Sequence, residues 1–368
     1  MNFNAPLLRP IRILLFPFSL IYGLIIWIRN KMFDNGWLSS STFNLPVIGI
    51  GNLTAGGTGK SPMVEFIITK FIDHFKLAVL SRGYMRKTSG YALANPQSTA
   101  LEIGDEPMQF YNKFPSVAIA VGEERIVAIP QLLHDVPETE VIILDDAFQH
   151  RYITPGLNIL LTDYNNLFTR DWFLPTGDLR DLKSGYKRAD VLVVTKCPPD
   201  LSEEQRYEVI EEIKPLSHQR VFFTSIHYGI PYHLFTKEKR PLNDRTEALL
   251  ISGIASPKML KKFLADNTAA YYDMLYSDHH IFSIDDLKEI RKRFENISSS
   301  NKIIITTEKD AMRLTKFQQA LNDYPIYVLP IDMKFMFGSE RAFTELIANF
   351  ITTFKHKNHE SDAREKAI

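Results

Sequence analysis

The stretch PVIGIGNLTAGGTGKS at 46–61 constrains this chain more than any other. An apolar, β-branched run passes into a glycine-rich loop that ends Gly-Lys-Ser and opens a helical pattern, the arrangement that holds a nucleoside triphosphate. Gly56, Gly57 and Gly59 let the loop's backbone N–H groups close around phosphate oxygens, with Thr54, Ala55 and Thr58 completing the loop. Lys60 supplies a point charge to the β/γ-phosphates, Ser61 a hydroxyl to Mg²⁺, and the following helix its positive end to the anion. Thr54 stands where the generic pattern has its first glycine. A glycine-rich turn with a chance lysine is the bland alternative, and the strand before and helix after argue against it.

A length of 368 residues accommodates two domains of ordinary size, and 45% hydrophobic with 23% charged residues describes a folded globular chain. Basic and acidic residues balance at 43 each, so charge gives no reason to expect nucleic acid as a partner. The single cysteine, Cys197, excludes an intramolecular disulfide framework and a multi-cysteine zinc site, and fits a reducing compartment. Residues 13–28, ILLFPFSLIYGLIIWI, carry no charge over sixteen positions and are bracketed by Arg9, Arg12, Arg29 and Lys31. That is shorter than the roughly 20 residues a spanning helix needs, and Pro17 would kink or end a helix. No small-residue cleavage site follows. The run reads as a helix embedded in one leaflet, its basic residues at the headgroups; a buried core helix is the alternative.

Downstream, short apolar runs at 77–80, 117–121, 141–144, 157–161 and 191–195 alternate with amphipathic segments such as 63–75 and 124–133. That is the pattern of a parallel sheet covered on both faces. From about residue 220 the alternation starts again. Strands are expected at 221–226, 248–251, 303–306 and 326–330 and helices at 258–264, 284–294 and 310–321, with no second Gly-Lys-Ser loop. The expected fold class is α/β: a membrane-associating helix at 1–33, a P-loop domain with a mostly parallel sheet at 34–218, a smaller α/β domain at 219–354 and a polar tail at 355–368.

A phosphate site needs an acidic residue at a strand end to hold Mg²⁺, and VIILDD at 141–146 supplies Asp145 and Asp146. A carboxylate there is costly to bury unpaired, so a cation or donor is expected beside it. The stretch that follows, AFQHR at 147–151, carries polar residues, Gln149, His150 and Arg151, placed to reach nucleotide or acceptor. In GDEP at 104–107, Asp105 and Glu106 can divide labour, one accepting a proton and one assisting the metal; an acidic turn is the simpler alternative. The adjacent histidines of SDHHIF at 277–282 point different ways, so one histidine acting with a carboxylate fits better than a chelating pair. Arg82, Arg125 and Arg180 lie where paired guanidinium donors can meet a phosphorylated ligand.

Taken in order, GNLTAGGTGKSP (51–62), LSRGYMRK (80–87), GDEP (104–107), DDAFQHR (145–151), LPTGDLRD (174–181), SGIASP (252–257), SDHHIF (277–282) and TEKDAMRL (307–314) closely resemble the tetraacyldisaccharide 4′-kinase family of lipid A synthesis in Gram-negative bacteria. Thr54 matches that family's own loop. The resemblance implies two α/β/α domains facing across a cleft. It also implies transfer of the ATP γ-phosphate, with Mg²⁺, to the 4′-hydroxyl of a tetraacylated glucosamine disaccharide 1-phosphate at the cytoplasmic face of the inner membrane. By the same resemblance Asp105 is the catalytic aspartate, paired with His279. Lys60, Ser61 and Arg125 serve the nucleotide, and Glu106, Asp145 and Asp146 lie on the metal side; Arg82, Gln149 and Arg180 are read, from residue type and position alone, as facing the substrate. The glycolipid and the membrane surface are the expected partners, with no obligate protein partner. Two positions depart from the family's habit: Ala147 where glycine is common, and Asp181 where glutamate is usual.

The rival reading is a P-loop ATPase or GTPase switch with the second domain as an interaction module. VTKC at 194–197 lacks the aspartate of an Asn-Lys-x-Asp base-reading segment, which disfavours GTP. A third reading is a soluble kinase or ligase whose N-terminal run is core.

Overall fold

The structure, a computed structural model, describes residues 9–254 and 256–365; residue 255 of the SGIASP stretch, residues 1–8 and the last three of the polar tail lie outside it. In chain order the strands begin β1 (Val47–Asn52), β2 (Leu77–Ser81), β3 (Ala92–Leu93), β4 (Ala118–Val121), β5 (Val141–Leu144), β6 (Leu157–Asp163) and β7 (Val191–Thr195). They continue β8 (Arg220–Tyr228), β9 (Tyr232–His233), β10 (Glu247–Ser252), β11 (Ala270–Leu275), β12 (Lys302–Thr307), β13 (Ile326–Leu329) and β14 (Ile331–Phe335). Among the described residues, nine strands form one sheet in the order β14-β8-β7-β6-β1-β5-β2-β4-β3, and five form another in the order β11-β10-β12-β13-β9. From β4 across to β8 the first sheet is parallel, and β3 is antiparallel on β4. In the second, β11, β10, β12 and β13 are parallel and β9 is antiparallel.

Burial on both faces is what the continuous apolar runs demand. Ile48 and Ile50 of β1 pack on Met63 and Ile67 of helix Lys60–Phe71, while Val47 turns to Ile129 and Leu132 of helix Arg125–Asp135. Leu160, Leu192 and Val194 meet Val209 and Ile213 of helix Glu203–Ile213. The chain divides into two units: His227–Asp332 with the second sheet, and 9–226 with 333–365 around the first. The smaller unit is layered too. Ile251 and Ile304 lie against Leu287 and Ile290 of helix Ile284–Glu295, and Leu250 and Ile305 against Leu260 and Leu264 of helix Lys258–Asn267.

Three sequence expectations change. Residues 333–354, read as the end of the second domain, return to the P-loop unit. Phe335, Phe343, Ile347 and Ile351 complete the core that holds Ile48 and Met63, and the Phe335 and Phe343 rings pack 4.5 Å apart. An apolar stripe on helix Glu340–Glu365 needs a face to cover, and the first sheet supplies it. That helix also runs through most of the segment read as a polar tail. The helix expected at 310–321 is instead helix Glu308–Leu314, a 3₁₀ turn at Thr315–Phe317 and a short helix Gln318–Leu321.

The N-terminal segment forms helices Arg9–Leu14 and Phe16–Asp34, with Pro17 in the first turn of the second, where its missing N–H leaves no bond unmade. The longer helix inverts the usual burial. Ser19, Gly23, Asn30 and Phe33 are buried, whereas Phe18, Leu20, Ile21, Leu24, Ile25, Trp27 and Ile28 are each at least 46% exposed. Its docked face is polar and small: Ser19 Oγ donates to Thr176 Oγ1 at 2.7 Å, and Asn30 Nδ2 to Asp181 Oδ1 at 2.6 Å. A Cβ on Gly23 would stand 2.8 Å from the Phe173 ring. A buried core helix is therefore excluded. No helix among the described residues is long and apolar enough to cross a membrane.

Candidate active site

Parallel strands bring their C-terminal ends to one edge of a sheet, and the segments after β1, β2, β5, β6 and β7 gather there. Gly59, at φ 85°, adopts a left-handed conformation open to glycine without a Cβ clash and turns the loop into helix Lys60–Phe71. Lys60 Nζ then lies 3.2 Å from Asn52 Oδ1 and 3.3 Å from Asp146 Oδ1. The loop is tied on both flanks: Ala55 N donates to Asp178 O at 2.6 Å, and Thr195 Oγ1 to Thr58 O at 2.9 Å.

β5 delivers its two aspartates to different partners, Asp146 turning away at φ 50°. Asp145 is buried; its Oδ2 accepts from Ser81 Oγ at 2.9 Å and its Oδ1 has no hydrogen-bond partner. Burial, reinforced by the charge of Asp146, pushes the Asp145 carboxyl up to about 6. Asp146 meets the same desolvation, but Lys60 and the Arg180 N–H groups at 2.8 and 3.2 Å outweigh it and hold its carboxyl well below the usual range. An orphaned, buried carboxylate oxygen beside a phosphate loop fits a divalent cation. Asp145 suits that part better than Asp146, which two cations already engage. No group of three or more His, Cys, Asp or Glu side chains placed to hold a metal occurs among the described residues. Magnesium fits such a site because it takes one or two carboxylates and completes its shell with phosphate and water.

Residues 174–181 close a further side. Arg180 N donates to Leu53 O at 2.7 Å, and its guanidinium spans Asn52 and Asp146. Arg82, Gln149, His150 and Arg180, with Tyr22 and Arg29 of the N-terminal helix, line a cavity of about 290 Å³ that Asp146 and Asp181 also border. Three residues chosen from three separate motifs thus meet in one cationic cavity. Asp181 is an anchor, accepting from Asn30 and pairing with Arg188, so its carboxylate serves the scaffold. Ala147 is buried, its N–H donating to Ile50 O at 3.0 Å; the left-handed residue of that turn is Asp146. Asn52 escaped the sequence reading, although a polar residue closing an all-buried strand is a signal; it accepts from both Lys60 and Arg180.

His150, from the same polar stretch as Gln149, also lines the cavity. Burial, with Arg125 and Arg82 adding repulsion, lowers its imidazole to about 4 from 6.5. Because the folded value lies below the unfolded one, its stability contribution is fully present above about pH 6.5 and is lost as pH falls through about 4. The full loss is on the order of 3 kcal/mol. His150→Gln is expected to flatten the fall in Tm between those limits relative to the parent protein; parallel Tm–pH curves would contradict this.

Asp105 and Glu106 open helix Asp105–Lys113, and Asp105 is buried. The helix is fixed to the P-loop helix through buried Glu65, which accepts from Gln109 Nε2 at 2.6 Å and from Lys113 Nζ at 2.7 Å. The candidate base and Lys60 thus sit on two helices joined by one polar network. Arg125 departs from its expected part. It is 2% exposed, and its guanidinium donates to Gly122 O and to Asp145 O at 3.1 Å. Burial lowers it to about 10, against the pull of Asp145 and Asp146. In this conformation it braces the backbone of Asp145, with its guanidinium turned to carbonyls.

In the smaller unit, His279 takes φ 59°, with its Nε2 2.9 Å from Lys309 Nζ and its Nδ1 3.0 Å from Arg313. His280 has a structural part, 3.0 Å from Asp286 and stacked on Tyr276 at 4.5 Å. The two histidines diverge, as their adjacency in sequence requires.

A family model described as tetraacyldisaccharide-1-P 4′-kinase matches residues 11–352. The tetraacyldisaccharide 4′-kinase of Bacteroides thetaiotaomicron is 42% identical over 368 aligned residues, covering 96% of each chain. That of Flavobacterium johnsoniae is 43% identical over 342, covering 93% of this chain and 97% of the other. Among solved structures, an "apo" form of LpxK from Aquifex aeolicus in complex with ATP shares 27% identity at a TM-score of 0.72. The match covers 93% of this chain and 99% of that one.

Proposed function

The chain belongs to the tetraacyldisaccharide-1-P 4′-kinase family, and from that membership we propose that it transfers the γ-phosphate of ATP to the 4′-hydroxyl of a tetraacyldisaccharide 1-phosphate lipid A precursor. The observation that carries this reading is the junction of a phosphate loop with a cationic cavity: Lys60 and Arg180 meet on Asp146, and Arg82, Gln149 and Arg180 line the space beyond. Phosphoryl transfer is catalysed chiefly by positioning and electrostatics, and the residues divide accordingly. The loop 54–59 cradles the triphosphate through backbone N–H groups, and Lys60 meets the charge that develops on the transferred group. Asp105 takes the hydroxyl proton with the help of His279. Arg82, Gln149 and Arg180 orient the sugar phosphate headgroup. Mg²⁺ would be held by Asp145 and Ser61, with Glu106 on the same side, and supplies neutralisation of phosphate charge.

The exposed apolar face of helix Phe16–Asp34 supports a seat in the cytoplasmic leaflet of the inner membrane, where acyl chains remain in the bilayer while the headgroup reaches the cavity. Trp172, 58% exposed, packs edge-on to Phe16 at 5.4 Å and Trp37 is 75% exposed, so aromatic rings flank that face. Each large apolar side chain withdrawn from water contributes about 1.5–3 kcal/mol. Ile21→Asp with Ile25→Asp is therefore expected to weaken flotation with phosphatidylethanolamine–phosphatidylglycerol vesicles by more than about tenfold and to leave ATP binding intact. Unchanged flotation would contradict the membrane seat.

The transfer reading is tested by ADP release from purified protein with ATP and Mg²⁺. Release should depend on the tetraacyldisaccharide and match phosphorylated lipid one to one. Release that is indifferent to the lipid would favour a hydrolytic switch.

A further inference from the structure

We propose that Lys196, held by Asp163 and flanked by Thr195, forms the nucleoside end of the ATP site; this rests on the ATP reading given above. The sheet order fixes the direction. Asp145 and Asp146 follow β5 on one side of β1, and β6 and β7 lie on the other. A triphosphate whose transferred phosphate faces Lys60 and the aspartates must extend its remaining phosphates, ribose and base over the C-terminal ends of β6 and β7.

The groups found there are built for that neighbour. Register pairs Asp163 of β6 with Thr195 of β7. Thr195 Oγ1 donates to the carbonyl of Thr58. Lys196 Nζ donates to the carbonyl of Gly57 and to Asp163 Oδ2, at 2.7 Å in the latter case. Two successive loop carbonyls are thereby gripped by two successive residues of one strand end. Lys196 also stands at φ 57°, a left-handed conformation that is strained for a non-glycine residue. Such strain persists where the surroundings over-determine it, often at ligand sites.

With its ammonium pinned at the loop, the four-carbon stem of Lys196 offers an apolar surface beside the phosphate cradle, suited to the face of a ribose or a base. Pro198 occupies the position at which a guanine-reading segment carries its aspartate, so no carboxylate stands there to read a base edge. Recognition at this end is by contact with the nucleoside face.

The test compares ATP with inorganic tripolyphosphate, both with Mg²⁺, by calorimetry on the full chain. Lys196→Ala is expected to weaken ATP about tenfold and tripolyphosphate less than about twofold, shrinking the preference for the nucleotide. Lys196→Met, which keeps the stem, should weaken ATP only about threefold and supplies the comparison if the alanine variant fails to fold. Equal losses for both ligands would mean that Lys196 only braces the loop, and would overturn the proposal, as would no change in either. Failure of the parent protein to bind ATP would instead overturn the ATP reading and this proposal with it.

Discussion

Lys60→Met is expected to lower the rate of phosphate transfer about 10³-fold at saturating ATP and lipid. Its ammonium lies 3.3 Å from Asp146 and 3.2 Å from Asn52, at the mouth of the loop and beside the acidic strand end. A preorganised cation at a point where negative charge develops is worth about 4 kcal/mol of barrier, which is that rate factor. ATP affinity should fall much less, because the loop's backbone donors and Ser61 remain. Methionine keeps the length of the stem, so a Tm close to the parent's separates lost chemistry from lost folding. A variant within tenfold of the parent rate would remove Lys60 from the chemistry.

Asp105→Asn is the second large effect, a fall in kcat of about 10²–10⁴-fold with KM for ATP within a factor of a few. Asparagine preserves size and polarity at the start of helix Asp105–Lys113, which Glu65 still fixes through Gln109 and Lys113. The carboxylate goes, and with it the negative charge and the capacity to accept a proton. If Asp105 and His279 act as a unit, adding His279→Gln to this variant costs little more. Full multiplication of the two effects would show that they act independently.

Strands at the centre of the first sheet were legible because both faces are buried: the runs 141–144 and 191–195 match β5 and β7 end to end. The edges were not. β14, IDMKF, alternates between half-buried and exposed positions before its buried Phe335, and β11, AYYDML, keeps only Met274 buried, so neither forms an apolar run. Chain order suggested that residues 219–354 belonged to one domain. Phe335 and Phe343 show otherwise, since their partners Ile48, Met63 and Phe222 lie far upstream in sequence. The N-terminal run was legible as amphiphilic but not as inverted, because the polar groups that dock Ser19 and Asn30 come from Thr176 and Asp181.

At the site, residue types and strand ends pointed to the phosphate loop and to the aspartate pair. What sequence could not divide was labour within the pair. That depends on the turn at Asp146, which gives one carboxylate Lys60 and Arg180 and leaves the other an unpaired oxygen. The orientation of Arg125 was not legible for a related reason: a guanidinium beside a strand end can face a ligand or the backbone, and tertiary packing here turns it to the carbonyls of Gly122 and Asp145.

The most direct measurement follows a labelled γ-phosphate from ATP into lipid with purified protein, Mg²⁺ and tetraacyldisaccharide 1-phosphate, and locates it by phosphorus NMR of the isolated product. Label on the 4′-oxygen of the distal glucosamine, absent in the Lys60→Met variant, is the result predicted. Label recovered only as inorganic phosphate, or on another position of the lipid, would contradict it.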